Sequence, residues 1–82
     1  MSSAEQIADL RTALRACQKE PFNGRRQEEA FDRITALTDA MRGDGWTVDE
    51  MTALLQAILR TYPNSGVDED QAVQHAIVQY FR

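Results

Sequence analysis

The stretch "TVDEMTALLQAILRTY", residues 47–62, decides the fold class, because its apolar side chains recur every three or four residues. At 3.6 residues per turn this spacing places them on one face of an α-helix, where they cover roughly 140° of arc. The face consists of Val48, Met51, Leu54, Leu55, Ile58, Leu59 and Tyr62. We therefore predict an amphipathic helix from Val48 to about Thr61, and we expect it to be the most buried helix of the protein.

The start of this helix is predicted by its capping residues. Thr47 is a favourable N-cap, and Glu50 three residues later completes a reciprocal capping box. Trp46 precedes the cap and can pack on Met51 as a hydrophobic staple. Tryptophan is also enriched at binding hot spots, so we predict a chiefly structural role for Trp46 and keep it as a candidate interface residue.

Three further amphipathic helices are predicted, two before this helix and one after it. Proline or glycine residues separate consecutive helices. No segment of strand periodicity and no internal repeat is found. The chain of 82 residues has room for one core, so residues 1–82 are predicted to form an all-α fold, a compact single-domain bundle of four amphipathic helices. Joints of four to six residues favour antiparallel neighbours. The other predicted helices run from Ser2 or Ser3 to about Lys19, from about Arg25 to Arg42, and from Asp68 to the C-terminus.

Charge is unevenly distributed along the acidic chain, whose net charge is −4. Residues 1–42 contain seven acids and seven bases, whereas residues 43–82 contain six acids and two bases and so hold the whole excess. A single cysteine excludes an intramolecular disulfide and fits a reducing compartment. With no signal peptide and no apolar run long enough to span a bilayer, we expect a cytoplasmic protein that does not enter a membrane.

No catalytic or metal-binding constellation is found in the sequence. Cys17 lies on the apolar stripe of the first helix and is expected to be buried, while His75 has no acid four residues away and is expected to be solvated. Asp39 and Glu50 stand at positions 1 and 12 of a possible calcium loop, but Asp44 occupies position 6, where glycine is required. We therefore predict that the protein is not an enzyme and that it carries no metal or cofactor.

The candidate functional residues are charged side chains and one aromatic side chain. Cations recur at i, i+4 and i+8 along the first helix and continue into the following turn, and arginine suits contacts with planar carboxylates. Three consecutive acids open the fourth helix. The candidate interface residues are Arg11, Arg15, Lys19, Arg25, Arg26, Trp46, Asp68, Glu69 and Asp70.

These residues indicate a small acidic protein-protein interaction module, such as an adaptor, an inhibitor or a regulatory subunit, with another protein as its partner. Val78, an apolar residue on the polar side of the fourth helix, gives a weak indication of a homodimer. The alternative is a nucleic-acid-binding regulator in which the second and third helices form a helix-turn-helix. Asp49 and Glu50 would then face phosphates, so we expect nucleic acid not to be the partner.

Overall fold

A computed structural model describes residues 2–82, and within that range every regular element is an α-helix. The helices are α1 (Ser3–Lys19), α2 (Gly24–Gly43), α3 (Val48–Thr61) and α4 (Glu69–Tyr80). The Cα radius of gyration is 11.6 Å, close to the value expected for a single compact domain of this length. The predicted all-α fold with four helices is confirmed.

Each helix begins at a residue whose side chain accepts hydrogen bonds from the first turn. The capping box predicted at α3 is present, because Thr47 Oγ1 accepts from the Glu50 amide at 3.2 Å and Glu50 Oε1 accepts from the Thr47 amide at 2.9 Å. Of the two predicted starts for α1, the structure uses Ser2 as the cap. The four caps are Ser2, Asn23, Thr47 and Asp68.

Helix α2, rather than α3, is the central helix of the bundle, since it packs against α1 and α4 and also contacts α3. The expectation that α3 is the most buried helix is wrong: α1 buries six residues and α3 buries four. The reason is that α3 packs chiefly on α4 and touches α2 only slightly. The edges of its wide apolar stripe, at Val48, Leu54 and Tyr62, therefore stay partly exposed.

Helices α1 and α2 form an antiparallel hairpin, as the short joint between them predicts. At one end Ser3 Oγ donates to Asp44 Oδ2 at 2.6 Å, and near the other end Cys17 Sγ donates to the Arg26 carbonyl at 3.2 Å. Helices α2 and α3 are different, because they are also consecutive and yet hardly pack on each other. The preference for antiparallel packing of neighbours does not hold at that joint.

Helices α2 and α4 lie side by side and run parallel. Thr35 Oγ1 is hydrogen-bonded to His75 Nε2 at 2.7 Å, and Gln79 Nε2 donates to Asp39 Oδ1 at 3.0 Å. Both pairs are 40 residues apart in the chain, so the two helices advance together. At the end of this pair Arg42 donates to the Gln79 carbonyl at 2.9 Å, satisfying a carbonyl in the last turn of α4.

At the opposite end of the molecule, the loop before α2 and the loop before α4 are in close contact at a glycine. Gly66 has φ +81°, and a Cβ at this position would overlap the Pro21 carbonyl and lie 2.7 Å from Gln27 Nε2. Gln27 Nε2 itself donates to the Pro21 carbonyl at 2.8 Å. The loop before α4 therefore approaches the loop before α2 more closely than any residue with a side chain allows.

Candidate interaction surfaces

The three cations predicted to line α1 lie on one exposed edge of that helix. Arg11 and Arg15 border one shallow depression, and Arg15 and Lys19 border the next. All three side chains are exposed, and none forms an ion pair with another described residue. We call Arg11, Arg15 and Lys19 the basic edge.

The two arginines that follow in sequence differ from each other. Arg26 borders the depression at the end of the basic edge, but its guanidinium lies 3.0 Å from Glu20 and 3.4 Å from Glu29. The hydrogen bond to Glu20 is the main reason why the pKa of Arg26 is raised, so its charge is already balanced within the molecule. Arg25 is exposed and forms no ion pair with the described residues.

Trp46 lies half-buried at the edge of the core. Its backbone is hydrogen-bonded to one residue of α2 and to one residue of α4. Its amide donates to the Met41 carbonyl at 3.0 Å, and its carbonyl accepts from the Tyr80 hydroxyl at 2.6 Å. The ring packs against the core cluster that includes Met51. This placement agrees with the predicted structural role, and the exposed part of the ring leaves its role in binding a prediction.

The three acids at the start of α4 have separate roles. Asp68 caps the helix through the Gln71 amide at 2.9 Å. Glu69 holds Arg60 by two hydrogen bonds of 2.9 and 3.3 Å. Asp70 is exposed in the first turn of α4 and, unlike the other two acids, forms neither a side-chain hydrogen bond nor an ion pair with the described residues.

A groove between α2 and α4 was missed by the sequence analysis. Two adjoining depressions, both shallow and open to solvent, have volumes of about 490 and 520 Å³ and share Phe31 and His75. The rings of these two residues meet edge to face with their centroids 5.3 Å apart. We call this surface the α2–α4 groove; its apolar floor consists of Phe31, His75 and Val78, and its acidic rim of Glu28, Asp32 and Asp70.

Sequence signals for this groove were present but ambiguous. Phe31 falls on the apolar stripe of α2, a position typical of core residues, whereas it is only partly buried. Val78 is 53% exposed, as its position on the polar side of α4 indicates. His75 is exposed as predicted, but it is also fixed by Thr35 and Phe31.

The groups with potential for chemistry stand apart from one another. Cys17 is fully buried, as predicted, and burial raises the pKa of its thiol, which keeps the sulfur protonated and unreactive. His75 is paired with a hydroxyl and not with a carboxylate. Residues 2–82 contain no group of three His, Cys, Asp or Glu side chains placed to hold a metal ion.

Comparisons with known proteins find no match, whether with family models, with curated proteins or with solved structures. None of the helices in the described range is both long and apolar enough to cross a bilayer.

Proposed function

We propose that this protein is a small interaction module whose basic edge binds an acidic surface on another protein. The observation that carries the proposal is the absence of ion pairs at the basic edge, within the part of the chain that the structure describes. An acidic protein with net charge −4 has many carboxylates, and yet these three neighbouring cations pair with none of them.

Three arginines on the other helices support this interpretation by contrast. Arg33, Arg42 and Arg60 each have a carboxylate oxygen of the same molecule within 4.0 Å. Cations that neutralise acids of their own fold contribute little to recognition of a partner, whereas unpaired cations attract an acidic surface and speed association.

Apolar side chains beside the basic edge can add contact area. Ala4, Ile7 and Ala8 border the same depression as Arg11, and Ile7 is only partly buried. The described chain exposes 4960 Å², and a standard interface takes about 800 Å² from each partner, roughly a sixth of this surface. The size of the protein is sufficient for such an interface. Its single, buried cysteine fits the reducing cytoplasm, where we place the interaction.

Nucleic acid is the alternative partner for a row of cations. In a helix-turn-helix, α3 would be the recognition helix, but its first turn exposes Asp49 and Glu50, which repel phosphates. Helices α2 and α3 also hardly pack on each other, unlike the two helices of that motif. The basic edge by itself offers only three cations, which would give weak binding that is lost at physiological salt.

The test is affinity capture from native cells with two variants of equal net charge. Arg11→Gln, Arg15→Gln and Lys19→Gln together change the net charge from −4 to −7. The control carries three glutamates on the exposed side of α3, which also changes the charge from −4 to −7. Its three sites, at the same i, i+4, i+8 spacing, are Ala53, Ala57 and Thr61.

We expect a stoichiometric protein to be recovered with the parent and with the control, and to be lost with the basic-edge variant. The loss would follow from removal of local attraction, since the overall charge is matched. Equal recovery with both variants would contradict the proposal. Recovery of nucleic acid instead, at physiological salt, would favour the alternative.

A further inference from the structure

We propose that the α2–α4 groove is a second binding surface, and that it holds a basic amphipathic helix of a partner protein. This surface is independent of the basic edge, because the residues that border the two do not overlap. Three features of the groove determine the kind of partner: its apolar floor, its acidic rim and its length.

The floor is apolar, and one of its side chains is held in place by a hydrogen bond. Val78 is 53% exposed. Covering this side chain with a partner would remove apolar surface from water, which favours binding. Phe31 is partly buried, and its ring lies nearly perpendicular to that of His75. The hydrogen bond of 2.7 Å between Thr35 and His75 holds the imidazole, so this ring needs little ordering when a partner binds.

The rim carries charge of one sign. Glu28 and Asp32 border the groove on the α2 side, and Asp70 borders it on the α4 side. None of these carboxylates forms an ion pair within the described chain, and no lysine or arginine is among the groove's described lining residues. A partner with lysine or arginine beside its apolar residues therefore complements both the floor and the rim.

The length of the groove suits a helical partner. The groove runs between two parallel helices, from the level of Gly24 to that of Val78. Since Thr35 is paired with His75, this distance is roughly 20 Å at 1.5 Å per residue. A partner helix of about 14 residues fills it, and its side-chain ridges can pack between those of α2 and α4. The binding mode is that of a helix in a groove.

The test uses a synthetic probe, a fluorescent peptide of about 14 residues with leucines at i, i+3, i+4 and i+7 and lysines elsewhere. We expect binding of this peptide to the full chain, measured by fluorescence anisotropy, to exceed that of a scrambled Leu/Lys peptide and of a Leu/Glu version. The scrambled peptide has the same charge but no apolar stripe, and the Leu/Glu version has the stripe with the wrong charge. Equal binding of the three peptides, or no binding of the first, would overturn the proposal.

Matched variants locate the binding site. Val78→Gln removes an exposed apolar side chain from the floor and should weaken binding about tenfold. Phe81→Gln is its control, because Phe81 is 69% exposed but does not border the groove and meets the Tyr80 ring edge to face instead. An equal loss of binding with both variants would show a nonspecific apolar contact and would refute the assignment.

The rim is tested in the same way. Asp70→Asn should weaken binding about twofold to fivefold at low salt, and less at higher salt. Asp49→Asn is the control, since Asp49 is also an exposed acid in the first turn of a helix but lies on α3. Asp49→Asn should leave binding unchanged, and an equal effect of the two substitutions would contradict the role of the rim.

The competing occupant of the groove is α1 of a second copy of the chain, because this helix carries exposed cations beside Ile7. Sedimentation equilibrium of the parent and of Val78→Gln separates the two cases. We expect both to be monomeric at micromolar concentration, which leaves the groove open to the peptide. Self-association of the parent that Val78→Gln abolishes would identify the groove as an interface between copies and would refute the proposal.

Discussion

The close approach at Gly66 leads to the most quantitative prediction for the fold. Gly66→Ala places a methyl group against the Pro21 carbonyl, at a position where φ is +81°. The left-handed backbone costs about 1 to 2 kcal/mol for alanine. Displacing the Pro21 carbonyl also weakens its hydrogen bond from Gln27, which contributes about 1 kcal/mol more. We expect a total loss of about 2 to 3 kcal/mol.

That loss is a large fraction of the stability of a domain of 82 residues, which is roughly 4 to 12 kcal/mol. Urea unfolding followed by circular dichroism measures it directly. Gly45→Ala is the matched control: Gly45 has φ +88° but no atom within 4 Å of its Cβ position. This control should lose only the backbone cost of about 1 to 2 kcal/mol. An equal loss for the two variants would refute the steric argument at Gly66.

Other predictions concern the core and the α3 cap. Ile34→Ala, at a fully buried position on α2, should cost about 2 to 5 kcal/mol in urea unfolding; a loss below 1 kcal/mol would contradict the central place of α2. Thr47→Ala should cost about 1 kcal/mol by the same assay, because it removes the acceptor for the Glu50 amide. The pKa of Glu50 is lowered from 4.5, chiefly by its hydrogen bond from the Thr47 amide. Its carboxylate therefore stabilises the fold fully above about pH 4.5, and this contribution is lost as the pH falls further. Glu50→Gln should be less stable than the parent at neutral pH and approach it in acid; a gap that stays constant with pH would contradict the assignment.

Local sequence signals predicted the helices well, because caps and apolar stripes act within one or two turns. Thr47 with Glu50 is the clearest case, since the capping box is present at the predicted residues. The packing order of the helices was not predictable in the same way. A wide apolar stripe shows that α3 is amphipathic, but the stripe does not show how many helices pack on it. The central helix of the bundle is α2.

The candidate surfaces were predictable only in part. The spacing of Arg11, Arg15 and Lys19 on one helix put them on one edge, as the structure shows. The α2–α4 groove depends on two helices that are distant in sequence and run parallel, and neither helix alone indicates that Phe31 meets His75. The stacking of the two loops at Gly66 is likewise a contact between distant segments.

The most direct test of the proposed function is a calorimetric titration of the captured partner, once purified, against the parent and the variant with Arg11→Gln, Arg15→Gln and Lys19→Gln. We expect the variant to stay folded, since exposed charges contribute little to stability, and its affinity to fall about tenfold or more at low salt. Raising the salt should weaken the parent complex more than the variant complex. Unchanged affinity in a folded variant would contradict the proposed function, because the basic edge would then have no part in binding.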